Sequence, residues 1–537
     1  MMIENIIGKG TWIDKVASNI ILREKKLNRN LDIIRVESGL GASGIPHIGS
    51  MGDAVRAYGI GLSLKYQGYN SELIAYSDDM DGLRKIPSGF PSWLEDYIAK
   101  PVSNIPDPFG DCHSSYGSHM SSLLLDGLNK VDVKYTFKSA TEVYKSGILI
   151  DAIDRILTKS DYLGKKISEF VGQDKFLNIL PYFPICKECG KLYVAHAKEY
   201  LTREKKVLYE CSGSKIGNRE IKGCGYKGEA NIAKAEGKLA WKVEFAARWK
   251  MLDIRFEAYG KDIMDSVKIN DWVCEEILKF SHPFHIKYEM FLDKGGKKIS
   301  KSAGNVLTPQ MWMKYGTPQS ILLLLFKRIT GTRHIGIDDI PLLMDEYDLY
   351  EDIYFGKIKE NNQSKLVKLQ GIYEYINHLN PPTNGYNHVP YRLIAQQASL
   401  FDGKDRIDKV FERLKKYRLV NEKTNDIIEK IELASNWTDD ILVNEDNYDL
   451  TLDKKHKEAL VELVFNLKTY KDKEYDNLSN DIQTLIYETS KKHEIQPRDF
   501  FKLLYKILIN SDRGPKLGNY LVDLGINRGC EIIEKYI

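Results

Sequence analysis

Hydrophobic and polar positions near the start of the chain predict a strand, a helix and a second strand. Residues 31–36 are a short apolar run with the length and composition of a strand. Residues 51–66 form a helix-length segment without proline, and residues 72–76 make the second strand. This βαβ order predicts a parallel sheet, in which ligands bind beyond the carboxyl ends of the strands.

The second half of the chain has a different period. After Pro318 the pattern becomes predominantly α-helical to the end, as the spacing of Leu460, Leu463, Val464 and Leu467 illustrates. We expect a boundary near residues 345–360. The sequence therefore predicts an α/β part followed by a helical part.

The loop between the first strand and its helix is rich in glycine. It contains His47 and the glycines at 39, 41, 44 and 49. A glycine-rich bend at a helix N-terminus cradles phosphate, because backbone N–H groups and the helix dipole both face the anion. Many such loops are plain tight turns, but residues 297–305 (KKISKSAGN) offer lysines that suit the same anion. We interpret the two segments as halves of one ATP site.

Composition adds little to this picture. The 78 basic and 75 acidic side chains leave a net charge of +3, so a nucleic-acid partner would have to be met by local basic patches. No apolar run reaches the ~18 residues of a membrane span. Charged residues interrupt the apolar positions near the N-terminus, so we expect a cytoplasmic protein.

Four cysteines predict a structural zinc site. Cys186 and Cys189 form a C-x2-C knuckle, with Cys211 and Cys224 further along the chain. Four thiolates leave no open position for water, which excludes a catalytic zinc. The alternative is that these thiols are buried without a metal. A polar loop at residues 111–119 contains a cysteine and two histidines, and fits either the rim of the site or a surface connection.

Two signatures and several further stretches resemble one enzyme family. Residues 46–49 (PHIG) resemble the HIGH signature of class I aminoacyl-tRNA synthetases, and residues 298–302 (KISKS) resemble KMSKS. Residues 77–87, and Trp241 together with Arg248, resemble the lysyl type found in archaea. The resemblance covers nearly the whole chain and implies an α/β, Rossmann-like parallel-sheet catalytic domain with a zinc-binding insertion. An all-α anticodon-binding region would follow it.

The resemblance also implies domain boundaries. The first half of the Rossmann catalytic domain would span residues 1–100, and the insertion with the four-cysteine zinc site residues 101–238. The second half, with the KMSKS-like loop, would span residues 239–310. A connecting helical segment (311–350) would then precede the α-helical anticodon-binding domain (351–537).

The family activates lysine with ATP and transfers lysine from lysyl-adenylate to tRNA(Lys). The first step displaces pyrophosphate, so positioning and electrostatic stabilisation dominate catalysis. By resemblance, His47 would donate to a phosphate oxygen, and Lys298 and Lys301 would bring positive charge to the leaving phosphates; ATP implies Mg²⁺. The alternative for the lysines is a solvated basic loop. The implied ATP-binding residues are Ser43, Gly44, Pro46, His47, Gly49, Lys298, Ser300, Lys301 and Ser302.

Lysine selection requires an anion for the ε-ammonium group. Glu37 is our main candidate, since the related glutamyl enzymes carry arginine at the corresponding place; Glu257 and Asp81 are further acids that compete for the role. Any of these acids could instead make a structural hydrogen bond or contact Mg²⁺. The chain departs from the family pattern at Ser50, Gly41 and Ile263. The implied lysine-binding residues are Glu37, Gly39, Gly41, Asp78, Asp79, Trp241 and Tyr288.

The predicted partners are tRNA(Lys), L-lysine and ATP, with a monomer favoured. The alternatives are a class I synthetase for another amino acid, glutamate being the nearest, and a tRNA-binding relative that does not charge tRNA. A zinc-dependent nucleic-acid-binding protein is a third, although one cysteine cluster explains little of so long a chain. Amino-acid specificity in activation and charging separates these alternatives.

Overall fold

The computed structural model describes residues 6–289, 291–296, 307–401, 403–441, 452–470, 477–509, 512 and 514–537. The chain divides into two compact units. The first comprises residues 1–311, 322–337 and 360–381, and the second residues 312–321, 338–359 and 382–537. The domain boundaries expected from the sequence stay a prediction.

A five-stranded parallel sheet lies at the centre of the first unit, which confirms the predicted sheet type. Its middle strand begins at Ile34 and is buried on both faces, as parallel strands covered by helices are. The strands in spatial order are Phe284–Tyr288, Ile254–Gly260, Ile34–Leu40, Ser71–Ser77 and Thr136–Ser139.

The α-helices of the first unit surround this sheet and its insertion. The helix after the middle strand begins at Ile48, three residues earlier than its apolar pattern indicates. A π-helical turn, Val273–Leu278, follows the helix that ends at Trp272. The α-helices are Trp12–Lys26, Ile48–Tyr66, Tyr116–Lys130, Ala140–Lys145, Ile150–Thr158, Ser160–Val171, Trp241–Met251, Met264–Trp272 and Gln363–Ile376.

Asp14 connects three distant parts of the first unit. Its carboxylate completes a capping box with Thr11 at the start of the helix Trp12–Lys26. It also accepts hydrogen bonds from Ser63 Oγ at 3.0 Å and from Tyr375 Oη at 2.5 Å. All of these groups are buried, so the donors satisfy a carboxylate that would be costly to bury alone.

Short strands form small antiparallel sheets in the insertion. They bring cysteines that are distant in the sequence onto neighbouring turns. One three-stranded sheet and two two-stranded sheets are built from Tyr182–Pro184, Ala195–Leu201, Lys206–Cys211, Ser214–Ile216, Arg219–Ile221, Lys227–Asn231 and Gly237–Leu239. Outside the insertion, Phe291–Leu292 pairs with Arg333–His334.

The second unit is helical, as its period predicts. Trp437 and Tyr391 are fully buried in its core, and the Tyr391 hydroxyl donates to the carbonyl oxygens of Tyr315 and Leu433. In the described ranges, none of the helices combines the length and apolarity that crossing a bilayer requires. The helices Pro309–Tyr315 and Pro318–Phe326 belong in part to each unit; the rest are Ile340–Tyr354, Tyr391–Ala398, Arg406–Lys416, Asn425–Asp440, Lys454–Lys468, Leu478–Lys492, Pro497–Ile509, Leu517–Leu524 and Ile526–Glu534.

Gly59 gives a test of packing in the first unit. A Cβ atom at this position would lie 2.6 Å from Cε1 of Phe326, a ring with no exposed surface. We expect Gly59→Val to destabilise this unit by about 1–3 kcal/mol through overpacking, which lowers its melting temperature in a thermal scan. The double variant Gly59→Val with Phe326→Leu should recover part of that loss, and a lack of coupling between the two would contradict this account.

Candidate active site

His47 caps the helix that leaves the glycine-rich loop. Its Nδ1 atom accepts a hydrogen bond from the backbone N–H of Ser50 at 3.2 Å. Since Nδ1 accepts, the proton of the neutral imidazole is on Nε2, which makes Nε2 a hydrogen-bond donor. The ring therefore stands at the positive end of the helix dipole, with Nε2 as its N–H group.

A cavity of about 190 Å³ opens beside His47. Glycine is required at position 49, because a Cβ atom there would lie 2.7 Å from Cε1 of His47. The backbone N–H of Ile48 donates to the carbonyl oxygen of Leu307 at 2.9 Å. Leu307 lies two residues after the lysine-rich segment 297–305, so the chain beyond this segment contacts the start of the His47 helix. The lining residues are His47, Gly49, Ser50, Asp53, Arg56, Gly260, Asp262, Tyr288, Glu289 and Phe291.

Asp53, Arg56 and Tyr288 form one wall of this cavity. Arg56 is buried, lies 3.7 Å from the Asp53 carboxylate and packs over the Tyr288 ring at 4.9 Å. Burial raises the pKa of Asp53 to about 7, although Arg56 and a hydrogen bond from Tyr288 act to lower it. The structure thus places Tyr288, predicted to contact lysine, among the residues that line the His47 cavity.

One guanidinium holds three carboxylates, two from the middle of adjacent strands and one that directly follows a third strand. Nε of Arg248 lies 2.5 Å from Glu37, and its Nη atoms lie 3.5 Å from Asp78 and 3.1 Å from Glu257. Trp249 also donates its indole N–H to Glu257. Glu37 and Glu257 are register partners on adjacent strands, which puts both side chains on the same face of the sheet.

This carboxylate group lies next to the His47 cavity along a single strand. Ile254–Gly260 carries Glu257 in the group and Gly260 in the cavity lining, about 10 Å apart at the rise of an extended strand. Gly39 leaves a gap the size of one carbon atom beside Glu257 and Asp78. A Cβ atom at this position would fit without a clash, at 3.8 Å from Glu257 and 3.9 Å from Asp78. The N-terminus of the His47 helix and the three carboxylates of Glu37, Asp78 and Glu257, called the acidic floor below, are thus neighbours.

Lys238 is a second buried cation with carboxylate partners, in addition to Arg248. Nζ of Lys238 lies 2.5 Å from Asp81 and 2.9 Å from Glu244, and it is fully buried. The Trp241 indole N–H donates to Asp81 at 3.2 Å. Within the described ranges, Lys238 contacts two carboxylates and Arg248 three, so the surplus of negative charge is larger around Arg248.

Burial and mutual repulsion raise the pKa values of Asp78 and Glu37. Burial raises the pKa of Asp78 to about 7, with Arg248 opposing the shift and Asp81 adding to it. Burial also raises the pKa of Glu37 well above its usual range, against Arg248 and together with Glu257 and Asp78. Burial acts to lower the pKa of Arg248, but the three carboxylates around it raise this pKa well above its usual range, so Arg248 stays positively charged.

The other residues predicted to bind ATP or lysine differ in burial and in hydrogen-bond partners. Both oxygens of Asp79 accept hydrogen bonds, one from Ser139 and the other from Thr141. The Ser43 carbonyl oxygen accepts a bond from Tyr116. Gly44 and Pro46 are buried in the loop, while Gly41 is exposed. The predicted Lys298, Ser300, Lys301 and Ser302 lie outside the described residues.

The four predicted cysteines come together as the knuckle predicts. The Sγ atoms of Cys186 and Cys224 are 3.6 Å apart, those of Cys189 and Cys211 are 3.8 Å apart, and all four lie within 4.8 Å of one another. Zn–S bonds of about 2.3 Å separate tetrahedral sulfurs by about 3.8 Å. The residues present therefore fit a four-coordinate ion.

A second group of potential ligands was not predicted as a metal site. Asp107, Cys112, His113 and His119 bring one oxygen, one sulfur and two nitrogens within 4.8 Å of one another. Nδ1 of His119 lies 2.9 Å from Asp107, and Nδ1 of His113 lies 3.1 Å from the Cys112 sulfur. One cysteine and two histidines within eight residues were the available signal in the sequence.

Comparison with known proteins gives consistent matches. A family model described as tRNA synthetases class I (K) matches residues 10–378. The chain is 52% identical to a lysine--tRNA ligase from Cenarchaeum symbiosum (strain A), covering 99% of both chains. It is 29% identical to one from Rickettsia felis, covering 97% of this chain and 98% of that one. A glutamate-tRNA synthetase structure from Elizabethkingia anophelis aligns with a TM-score of 0.34 at 12% identity over 94% of this chain and 99% of that one, which is too loose for an inference.

Proposed function

The chain belongs to the class I (K) family of tRNA synthetases, and we propose that it is a lysine--tRNA ligase. It activates L-lysine with ATP to lysyl-adenylate and transfers lysine to tRNA(Lys). The observation that carries the choice of amino acid is the acidic floor beside the His47 cavity, where three buried carboxylates share one guanidinium.

The His47 cavity suits the phosphates of ATP. In the first step the lysine carboxylate attacks the α-phosphorus, and negative charge grows on the phosphate oxygens and on pyrophosphate. His47 donates from Nε2 to one of these oxygens, and the N-terminal N–H groups of its helix add positive potential. The Arg56 guanidinium, buried in the wall of the cavity beside Asp53, adds a positive charge on the same side.

The lysine-rich segment completes the nucleotide site in this proposal. Lys298 and Lys301 bring ammonium groups to the leaving pyrophosphate, and Ser300 and Ser302 add hydroxyl donors. The support comes from described residues on either side of the segment: Phe291 lines the cavity, and Leu307 accepts a hydrogen bond from Ile48 at the start of the His47 helix. Mg²⁺ accompanies ATP and neutralises phosphate charge.

The floor selects a cation. An ammonium group placed near Glu37, Asp78 and Glu257 meets more negative charge than Arg248 neutralises. Gly39 leaves room for it above the acids, and Trp241 borders the second ion cluster. A glutamate side chain would meet the same acids and be repelled, which disfavours the nearest alternative amino acid.

The helical region from residue 351 onward takes the anticodon in this proposal. Single-stranded bases are read by stacking and by hydrogen bonds to their edges, and the region supplies aromatic side chains. The reaction takes place where tRNA and ATP are available, which in a cell is the cytoplasm. We favour a monomer as the active form.

Both ligand groups bind zinc in this proposal. The four-cysteine group is closed by four thiolates and is therefore structural, since no position remains for water. In the second group, the pKa of Asp107 is lowered to about 2, because hydrogen bonds from His119, the Phe109 N–H and Cys112 outweigh the effect of burial. An ionised carboxylate at this position is a suitable ligand.

His47 can be tested with two variants that separate catalysis from capping. We expect His47→Asn and His47→Ala each to lower the rate of lysine charging by roughly 10²–10³-fold, because alanine has no donor and the shorter asparagine amide, with its oxygen on the helix cap, cannot place its NH2 group where Nε2 stands. Asparagine still caps the helix, so only His47→Ala should also lower the melting temperature. Aminoacylation of tRNA(Lys) with ATP and L-lysine measures the first effect.

The matched control for this test is His456→Ala in the second unit. Among the described residues, the His456 side chain hydrogen-bonds only to Asp453. It should charge tRNA at nearly the wild-type rate. Full activity of His47→Asn would contradict the assigned role, and failure of the wild-type chain to charge tRNA with lysine would contradict the function.

Metal content tests the two zinc sites. Elemental analysis of the purified chain should give about two zinc ions, and Cys186→Ser and Cys112→Ser should each remove about one. Cys274→Ser is the control, because Cys274 is a buried thiol that belongs to neither group, with its sulfur 3.8 Å from the Ala246 carbonyl. Unchanged zinc content in Cys186→Ser would refute the four-cysteine site.

A further inference from the structure

The acids around Arg248 form an enclosed cluster with unequal charges. Arg248 and Glu37 are 2% and 1% exposed, and Asp78 and Glu257 are also buried. Both side-chain oxygens of Glu37 lack a geometrically favourable hydrogen bond in the described part of the chain, although Oε1 touches the guanidinium. Three carboxylates with one cation leave a surplus of two negative charges if all are ionised.

The surrounding groups do not remove this surplus. Lys238 is already shared between Asp81 and Glu244. These two carboxylates carry one more negative charge than the single ammonium group of Lys238 neutralises. Tyr76 packs its ring against the Arg248 guanidinium at 4.5 Å and adds no charge. Behind Glu257, His285 donates from Nδ1 to the Glu257 carbonyl oxygen at 2.8 Å, and its other nitrogen lies 3.0 Å from Asp271.

A buried surplus of this kind is relieved either by a cation or by a proton. Desolvation makes an uncompensated carboxylate costly, so one of several clustered acids takes up a proton near neutral pH. The raised pKa values of Glu37 and Asp78 agree with this expectation. Because Glu37 and Asp78 share one guanidinium, the proton belongs to the pair rather than to one residue.

We propose that lysine enters this site in exchange for a proton. With no substrate, Glu37 and Asp78, which Arg248 holds beside Glu257, share one proton. When a substrate ammonium group enters, that proton passes to the solvent and the ammonium group supplies the positive charge in its place. The inference rests on the proposed function, since it concerns the same lysine site.

Arg248 is the positioning residue in this exchange. It holds the three acids together, and its single charge fixes how much negative charge remains for the substrate. A neutral side chain of similar length cannot displace the proton, because it supplies no charge to replace it. The exchange thus adds to the discrimination between lysine and neutral amino acids.

Calorimetry on the wild-type chain tests the exchange directly. L-Lysine is titrated into the full-length protein at pH 7 in phosphate and in Tris, whose ionisation enthalpies differ. The difference in binding heat gives the protons released, which we expect to be about 0.5–1 per lysine at pH 7 and to fall toward zero by about pH 9. Binding without proton release at pH 7 overturns the proposal.

Glu37→Gln tests the source of the proton. This variant leaves two carboxylates on Arg248, so both can ionise without a proton, and release should fall to less than about a third of the wild-type value. The matched control is Glu24→Gln, which changes a buried carboxylate that pairs with Arg23, Arg29 and Arg255 and, among the described ion pairs, with no residue of the Arg248 cluster. Glu24→Gln should keep the wild-type release, and undiminished release in Glu37→Gln overturns the proposal.

The calorimetric result and the proposed function can fail separately. If the chain charges tRNA with lysine but binds lysine without releasing a proton, only the exchange is refuted. If the chain neither binds nor activates lysine, the function itself is refuted. Should Glu37→Gln not fold, the wild-type titration alone decides the question.

Discussion

The ion cluster around Arg248 is the constraint on which the rest of the first unit depends. Charges this deeply buried are tolerated only when they are paired, so the two strands that carry Glu37 and Glu257 must keep their register. A slip of one residue would turn either acid to the other face of the sheet. The helix that carries Arg248 must likewise keep its place, and the acidic floor is therefore tied to the sheet itself.

The sequence predicts the local units of this site well. The first strand, the glycine-rich loop and the helix follow in outline from apolar runs and loop composition. The strand was predicted at residues 31–36 but runs over Ile34–Leu40 and takes in Gly39, and the helix starts three residues earlier than predicted because His47 caps it. The cysteine knuckle follows from spacing alone. These features are local, so a short stretch of sequence contains most of the information that determines them.

The ion cluster could not be predicted in the same way. Arg248 and Asp78 are 170 residues apart, and nothing in the helix that contains Arg248 indicates which acids it will meet. The spacing of aromatic residues in this helix is typical of core packing and does not indicate an ion cluster. Glu37 was predicted as the group that contacts lysine directly, whereas the structure shows it also bound to Arg248, so its charge is shared. The partners of a buried ion depend on how distant strands and helices pack.

Asp14 has a consequence for how the chain is made. Its carboxylate is satisfied only when Tyr375, 361 residues later in the chain, reaches it. At a synthesis rate of about 5–20 residues per second, this interval is roughly 20–70 s on the ribosome. During that time the N-terminal helix holds a carboxylate that still lacks one of its donors. The first unit can therefore reach its final state only after most of the chain has been translated, which makes late emergence of residues 360–381 the closing step of its assembly.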